Sequence, residues 1–279
     1  FSSRYEWDDG LSVDNLSPEL GFGIASCEYN VSCFSSLDLL QLMRRNCAIN
    51  QAFIPSFTAN DSQQSLKITL LSSKNSWMNK YIPDLISRFN STACHLRWIH
   101  DHNLLHSGDI CFLLSYARIV PQALLDINRH NLVVHASDLP KGKGWSPMTW
   151  QILEGSNAIK LTLFEAAAGL DCGPIYSQLT LDLVGDELLE DWQLLQAKST
   201  IHLCSHWLSN YPQCLDWARS QQGESTFFAK RGPEDSCLDP NLPIIDQFNL
   251  LRVVDNNYYP AFFDLADRRY RLSIQRWDS

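Results

Sequence analysis

The chain has 279 residues, 45% of them hydrophobic and 19% charged, a composition typical of a globular protein that buries a sizeable core. Its net charge is −9 and no run of Lys or Arg exceeds two residues, which disfavours a nucleic-acid partner because such partners are bound largely through phosphate neutralisation. We find no signal peptide and no apolar run of about 18 residues, so we expect a cytoplasmic protein without a membrane segment. The nine cysteines show no spacing typical of disulfides or metal sites, so we expect free thiols and no metal.

Residues 1–66 are rich in Ser, Asn and Asp and contain one helix candidate, at 37–45, so we predict an N-terminal extension of unknown role. Beyond it, strand and helix patterns alternate. Short apolar runs typical of buried strands lie at residues 68–71, 94–99, 110–114, 132–134, 159–164 and 175–183. Helical spacing of apolar residues lies between and after them, at residues 77–89, 122–129, 147–153 and 187–219.

Strands that alternate with helices predict an α/β fold with a Rossmann-like, mostly parallel sheet covered on both faces. Ligands of such sheets bind beyond the carboxyl ends of the strands. The most polar segment of the chain, from His135 to Trp145, directly follows the predicted strand at 132–134. The pattern therefore places this segment where a site is expected.

Residues 133–147 read VVHASDLPKGKGWSP. Gly142 and Gly144 allow backbone conformations that other residues resist. A histidine at the end of a strand, followed by a loop rich in Gly and Lys, is typical of a general base beside a surface that attracts anions. A hydrogen-bonded structural histidine with a solvated loop explains this segment equally well when it is considered alone.

Residues 167–176 read AAGLDCGPIY and place Asp171 between two glycines, just before a predicted strand. Taken singly, this pattern indicates an Asx turn. Upstream, residues 114–121 read LSYARIVP, between a predicted strand and a predicted helix.

Together, these three segments resemble the formyltransferase superfamily that acts on glycinamide ribonucleotide, methionyl-tRNA and sugar nucleotides. That superfamily shares an Asn-x-His-x-Ser-x-Leu-Pro element and a later Asp in a Gly-x-Asp-x-Gly loop. The interval of 36 residues from His135 to Asp171 (171 minus 135) fits this layout. The segment at 114–121 resembles the one whose backbone holds the pterin ring, and the whole resemblance covers about residues 67–220.

The resemblance implies transfer of a formyl group from N10-formyltetrahydrofolate to an amine, without a metal. Asp171 would orient His135, which would accept the amine proton or stabilise the oxyanion. By the same resemblance, the donor would bind at Tyr116, Arg118, Ile119, Val120, Ala167, Ala168, Gly169 and Leu170. Ser137, Lys141 and Lys143 are the candidate acceptor contacts, the two lysines being either phosphate ligands or solvated side chains.

One position departs from the family pattern, because Val133 stands where the family has the Asn that helps hold the oxyanion. Valine cannot donate a hydrogen bond, and a donor of this kind is typically worth about 2.7–4 kcal/mol of barrier. Asn131 lies two residues too early on the strand to replace it. Ser137, a backbone amide or protonated His135 could serve instead; otherwise the chain would be a non-catalytic protein that binds folate or a nucleotide sugar.

Three segments of the tail, at 231–235, 248–255 and 259–263, resemble the region after the core in sugar N-formyltransferases, although packed aromatics alone would also explain the last one. We therefore divide the chain into the extension at 1–66, a formyltransferase core at 67–222 and a small C-terminal α+β domain at 223–279. Only 57 residues follow Gln222 (279 minus 222), fewer than the RNA-binding domain of the methionyl-tRNA enzymes implies. We expect a small acceptor, an amino sugar on a nucleotide. An amino acid, a peptide or a carrier-bound amine is an alternative, and a homodimer is left open.

Overall fold

The computed structural model describes residues 65–90, 92 and 94–277. The helix predicted at 37–45 and nearly all of the predicted N-terminal extension lie outside these residues. None of the helices described here has the length and hydrophobicity needed to cross a membrane.

A six-stranded sheet organises the first part of the described chain. Its strands are β1 (Leu66–Leu71), β2 (Cys94–Ile99), β3 (Gly108–Leu113), β4 (Asn128–His135), β5 (Ala158–Glu165) and β6 (Ile175–Asp182). They are arranged in the order β2-β1-β3-β4-β5-β6. Strands β2, β1, β3 and β4 run parallel, whereas β5 and β6 pair antiparallel at one side. The predicted α/β, Rossmann-like and mostly parallel sheet is confirmed, with an antiparallel extension that the sequence pattern did not indicate.

The main core lies between this sheet and the helices on one face. Sheet residues such as Phe112 and Leu132 pack in one buried cluster with Leu85 and Trp207, which lie on two different helices. Fully burying one such apolar side chain contributes about 1.5–3 kcal/mol. Because a second apolar cluster lies around Leu71, on the opposite side of the sheet, the strands are apolar on both faces and appear in the sequence as continuous runs.

Two helices are shorter than the apolar spacing predicts. The stretch at 77–89 is divided into a 3-10 turn (Trp77–Lys80) and α1 (Ile82–Phe89), because Pro83 occupies the first turn of α1, where its missing N–H is tolerated. The predicted helix at 122–129 ends early as α2 (Gln122–Leu125), since Asn128 already begins β4.

Of the remaining core helices, one has the predicted bounds and the other is shorter than the predicted stretch at 187–219. Helix α3 (Pro147–Leu153) has the predicted bounds and is followed by Gly155, whose φ of +86° ends it. Helix α4 (Leu189–Ser209) covers β6 and ends before Pro212, after which the chain forms a 3-10 turn (Gln213–Trp217).

The C-terminal segment contains α5 (Phe248–Val253) and an antiparallel hairpin of β7 (Ala261–Leu265) and β8 (Arg268–Leu272), as expected for a small α+β appendage. Arg252 of α5 is only 1% exposed and pairs with Glu187 at 3.2 Å. The indole N–H of Trp192 donates to the Arg252 carbonyl at 2.9 Å. These contacts attach the appendage to the sheet-bearing part; the boundaries at residues 66 and 222 stay predictions.

Candidate active site

His135 is the last residue of β4 and lies at the carboxyl end of the parallel strands. Its side chain is 9% exposed, so most of the imidazole ring is shielded from water. Its Nε2 atom lies 2.8 Å from the Gly142 carbonyl oxygen and 3.8 Å from Asp171 Oδ2. The two residues that the sequence motifs single out are therefore neighbours.

Asp171 reaches this position by an indirect path. Its loop leaves β5 beside the middle of β4, where the Ala166 N–H donates to the Asn131 carbonyl at 2.6 Å, and not at the carboxyl end of β4. The loop then folds back toward His135, with Asp171 itself at a φ of +49°. Gly173 permits this return, because a Cβ there would lie 1.7 Å from the Glu165 carbonyl oxygen.

Gln221 fixes the loop that carries Asp171. Its side-chain amide donates to the Asp171 carbonyl at 2.8 Å and to the Gly173 carbonyl at 2.9 Å. The two accepting carbonyls lie on either side of Cys172, so a single side chain restrains the backbone around the carboxylate. Sequence reasoning did not find Gln221, because nothing in its immediate neighbourhood marks it as different from the other polar residues of a loop.

The backbone of the loop after His135 connects the two side chains. Gly142 accepts from His135, while the Gly144 N–H donates to Asp171 Oδ2 at 2.9 Å. Gly144 has a φ of +95°, and a Cβ there would lie 2.6 Å from the Phe228 carbonyl oxygen. The predicted need for glycine thus has a specific cause, which is the pairing of Lys143–Gly144 with the short strand Phe227–Phe228.

A cavity of about 880 Å³ opens beside this pair. Its wall includes both His135 and Asp171. It is also lined by all eight residues that the resemblance assigns to the formyl donor, namely Tyr116, Arg118, Ile119, Val120, Ala167, Ala168, Gly169 and Leu170. The lining also includes Gln196 and Thr200 of α4, which no motif in the sequence marks.

At the mouth of this larger cavity, Arg118 is held by two neighbours. Its Nη2 donates to Asp101 Oδ1 at 2.9 Å and to the Tyr116 hydroxyl at 2.7 Å. Asp101 also accepts from the Asn103 N–H, and these contacts together keep the pKa of its carboxyl below the ordinary value. The guanidinium thus has a defined position at the entrance although it is exposed.

A second cavity, of about 350 Å³, adjoins the larger one. Both are lined by Trp77, Trp145 and Ser146, so they share a boundary. The rest of its lining comes from α3, α4 and the C-terminal segment, which contributes the cations Lys230 and Arg231. The sequence contained a signal for this pair, since it is one of the few places where two basic residues are adjacent.

The three candidate acceptor contacts line neither of these two cavities. Ser137 is 2% exposed, and its hydroxyl has no hydrogen-bond partner among the described residues. Lys141 is exposed on the loop surface. Lys143 is 6% exposed, and its Nζ lies 3.3 Å from Cys172 Sγ. The side chain of Lys143 therefore links the two loops of the site.

Val133 lines the larger cavity two residues before His135 and packs against apolar clusters. The side-chain amide of Asn131 donates to the Leu125 carbonyl at 2.9 Å, so that amide is already engaged. The structure thus offers no side-chain amide in the place of the family's Asn. Among residues 65–90, 92 and 94–277, there is also no group of three or more His, Cys, Asp or Glu side chains suited to a metal ion.

Comparison with known proteins gives one family match, to the model described as formyl transferase, over residues 50–197. The bifunctional polymyxin resistance protein ArnA of Wigglesworthia glossinidia brevipalpis is 25% identical over 234 residues, which are 80% of this chain and 34% of that protein. The chain spans between 26% and 56% of the length of six curated relatives that it matches, ArnA among them.

Solved structures share the fold. A methionyl-tRNA formyltransferase from Clostridium thermocellum has a TM-score of 0.60 at 23% identity, over 76% of this chain and 94% of that one. A sugar N-formyltransferase from Shewanella sp FDAARGOS_354 has a TM-score of 0.56 at 14% identity, over 77% and 99%. At these identities the two structures support the architecture and leave the acceptor open.

Proposed function

Because the chain belongs to the formyl transferase family, we propose that it transfers a formyl group from N10-formyltetrahydrofolate to the amine of a nucleotide-linked amino sugar. The observation that carries this proposal is the approach of His135 Nε2 to within 3.8 Å of Asp171 Oδ2 on the wall of the larger cavity. A poised imidazole beside a carboxylate is the arrangement that acyl transfer to an amine requires.

The larger cavity suits a folate. Its volume of about 880 Å³ lies within the range of small-molecule sites, about 300–1,000 Å³. The segments around Tyr116 and Gly169 form its walls, and apolar Ile119 and Leu170 present surface for a flat ring. When bound there, N10-formyltetrahydrofolate would supply the formyl carbon.

The residues of the chain would then handle the proton. His135 Nδ1 would accept the proton of the attacking amine, because Nε2 already carries the hydrogen that it donates to the Gly142 carbonyl, and would return it toward the folate nitrogen, a role worth roughly 10²- to 10⁴-fold in rate. Asp171 Oδ2 would stabilise the positive charge that the ring gains in this step. The carbonyl of Gly142 and the N–H of Gly144 would keep ring and carboxylate in place.

For the acceptor, a small molecule is favoured over an RNA. The net charge of −9 opposes binding of a polyanion. The smaller cavity adjoins the proposed donor site and has room for a sugar-sized group. An amino acid, a peptide or a carrier-bound amine is the alternative, because the proton transfer at His135 does not depend on what the amine is attached to.

A second candidate function has one observation in its favour. Val133 removes the amide that the family uses at the oxyanion, which fits a protein that binds folate or a nucleotide sugar without turnover. Since Ser137 lines neither cavity, the replacement donor that the catalytic proposal requires is protonated His135 or a backbone amide of the loop after it.

The test is transfer of a radiolabelled formyl group from N10-formyltetrahydrofolate to a panel of acceptors. The panel contains nucleoside-diphosphate amino sugars, the free amino sugars, amino acids, a peptide and an aminoacyl-tRNA. We expect transfer to a nucleoside-diphosphate amino sugar only. Transfer to an amino acid or peptide would establish the alternative acceptor class. Donor binding without transfer to any amine would establish the non-catalytic function.

A further inference from the structure

Lys230 and Arg231 are adjacent in the chain, and both line the wall of the smaller cavity. They follow the strand Phe227–Phe228, which pairs with Lys143–Gly144 in the loop of the candidate site. Arg231 Nη2 donates to the Asp235 carbonyl at 2.7 Å, whereas its Nε is buried and has no hydrogen-bond partner in the described part of the chain. A buried donor without a partner is costly, so this position is suited to a ligand that accepts from it.

The charge of the pair is also left without a close counter-ion. Lys230 Nζ lies 5.0 Å from the centre of the Trp145 ring, and the Arg231 guanidinium lies 6.0 Å from that of Trp150. Of all the ion pairs within 4.0 Å in the described residues, none includes either side chain. Burial lowers the pKa of Arg231, although the more distant charge of Asp235 partly opposes this effect.

One carboxylate, that of Asp255, does line the cavity. Its Oδ1 atom accepts from the backbone N–H groups of Asn257 and Tyr258 at 2.8 and 3.0 Å. This carboxylate therefore has partners in its own turn, and the cavity keeps a net positive lining from two cations against one anion.

From this arrangement we infer that Lys230 and Arg231 bind the phosphate groups of a nucleotide-linked acceptor in the smaller cavity. The inference rests on the proposed function and specifies the acceptor subsite. Trp77, Trp145 and Tyr259 line the same cavity and supply flat surfaces for a sugar or base. Trp145 directly follows Gly144, whose N–H donates to Asp171 Oδ2. An acceptor whose phosphates bind Lys230 and Arg231 therefore extends past Trp145, with its amine end toward His135 and Asp171.

This assignment differs from the one that the sequence suggests. Lys141 is exposed away from both cavities, and Lys143 points at Cys172. The geometry therefore places the phosphate contacts on two cations that follow Asp171 by about sixty residues in the chain, and not on the lysines that follow His135.

The inference is tested by calorimetric titration with inorganic pyrophosphate, uridine diphosphate and thymidine diphosphate. The variants are Lys230→Met, Arg231→Met and, as a charge-matched control, Lys67→Met, which alters an exposed lysine at the amino end of β1. We expect each cavity variant to weaken binding of at least one of the two nucleotides by tenfold or more, and the control to bind like the wild type. Unchanged binding in both cavity variants would overturn the inference, as would absence of binding of all three probes to the wild type.

Two features keep the outcome interpretable. Lys230 is exposed, so Lys230→Met tests the inference even if Arg231→Met is unstable by thermal denaturation. The titration requires no turnover, so phosphate binding that depends on Lys230 without formyl transfer would contradict the proposed function alone. Transfer to a nucleoside-diphosphate amino sugar with an acceptor KM unaffected by Lys230→Met would contradict the inference alone.

Discussion

Replacing Val133 by Asn would restore the amide that the formyl transferase family has at this position, and a faster enzyme is the simple expectation. The structure favours the opposite result. Val133 pairs with Leu113 on one neighbouring strand and with Phe164 on the other, and its side chain packs against apolar residues of two clusters. A new amide in these surroundings needs a hydrogen-bond partner that the neighbours do not provide.

The size of the effect follows from two opposing contributions. An unsatisfied amide costs about 1–3 kcal/mol of stability, which lowers the Tm of a domain of this size by roughly 2–4 °C per kcal/mol. A new oxyanion donor would lower the barrier by about 2.7–4 kcal/mol, but only if the wild type lacks one. A working enzyme already has a donor, so we expect Val133→Asn to be less stable and no faster.

The assay is single-turnover formyl transfer, with the Tm measured on the same samples. Val134→Asn is the matched control, because Val134 is the next residue of β4, packs against the main core and lies at the same cavity. We expect it to lose stability without any gain in rate. A gain of tenfold or more in Val133→Asn alone, about 1.4 kcal/mol of barrier, would refute the reasoning and favour the non-catalytic function.

Three further outcomes are expected. Gln221→Leu should lower kcat roughly 10- to 100-fold at unchanged donor affinity, because Asp171 loses the hydrogen bond that restrains its loop. Gln222→Leu, which alters the exposed next residue, should change neither kcat nor donor affinity. Equal losses of kcat in both variants would contradict this prediction. A folate analogue should protect the amides of residues 116–120 and 167–171 from hydrogen exchange, and protection that misses both segments would refute the donor site. Burial, with smaller contributions from nearby His206 and Arg88, lowers the pKa of His202 below 6.5, so the unfolded chain takes up this proton more readily than the folded one. The free energy of unfolding, measured by urea denaturation, should therefore fall as the pH drops below 6.5. It should fall less in His202→Gln. The same pH dependence of the free energy of unfolding in the wild type and in His202→Gln would contradict the prediction for His202.

The strands were predictable because most of them are buried on both faces. Cys94–Ile99 has the predicted bounds, and the other sheet strands differ from prediction by a few residues at their ends. The start of β4 was missed because it reads Asn-Arg-His-Asn, which has no apolar pattern. Asn131 is tolerated there because its amide donates to the Leu125 carbonyl, a contact that only the tertiary structure creates.

The candidate site was predictable where short motifs define it and not where distant segments meet. His135 and Asp171 each lie in a segment with its own glycines and prolines, and the order of those segments identified the pair. Gln221 contacts Asp171 across 50 residues of chain. The cavity around Lys230 exists only because the C-terminal segment folds back against α3 and α4. No local pattern encodes either arrangement.

The most direct test of the central claim is the rate of the chemical step with enzyme in excess over labelled N10-formyltetrahydrofolate and a nucleoside-diphosphate amino sugar. The account predicts rapid formation of the formamide by the wild type. His135→Ala should lose at least about 10²-fold in this rate, as general acid–base catalysis requires, while it binds the donor normally. Asp171→Asn should also lower the rate of the chemical step. Wild-type-like rates in both variants, or equal weakening of donor binding in place of the rate, would contradict the account.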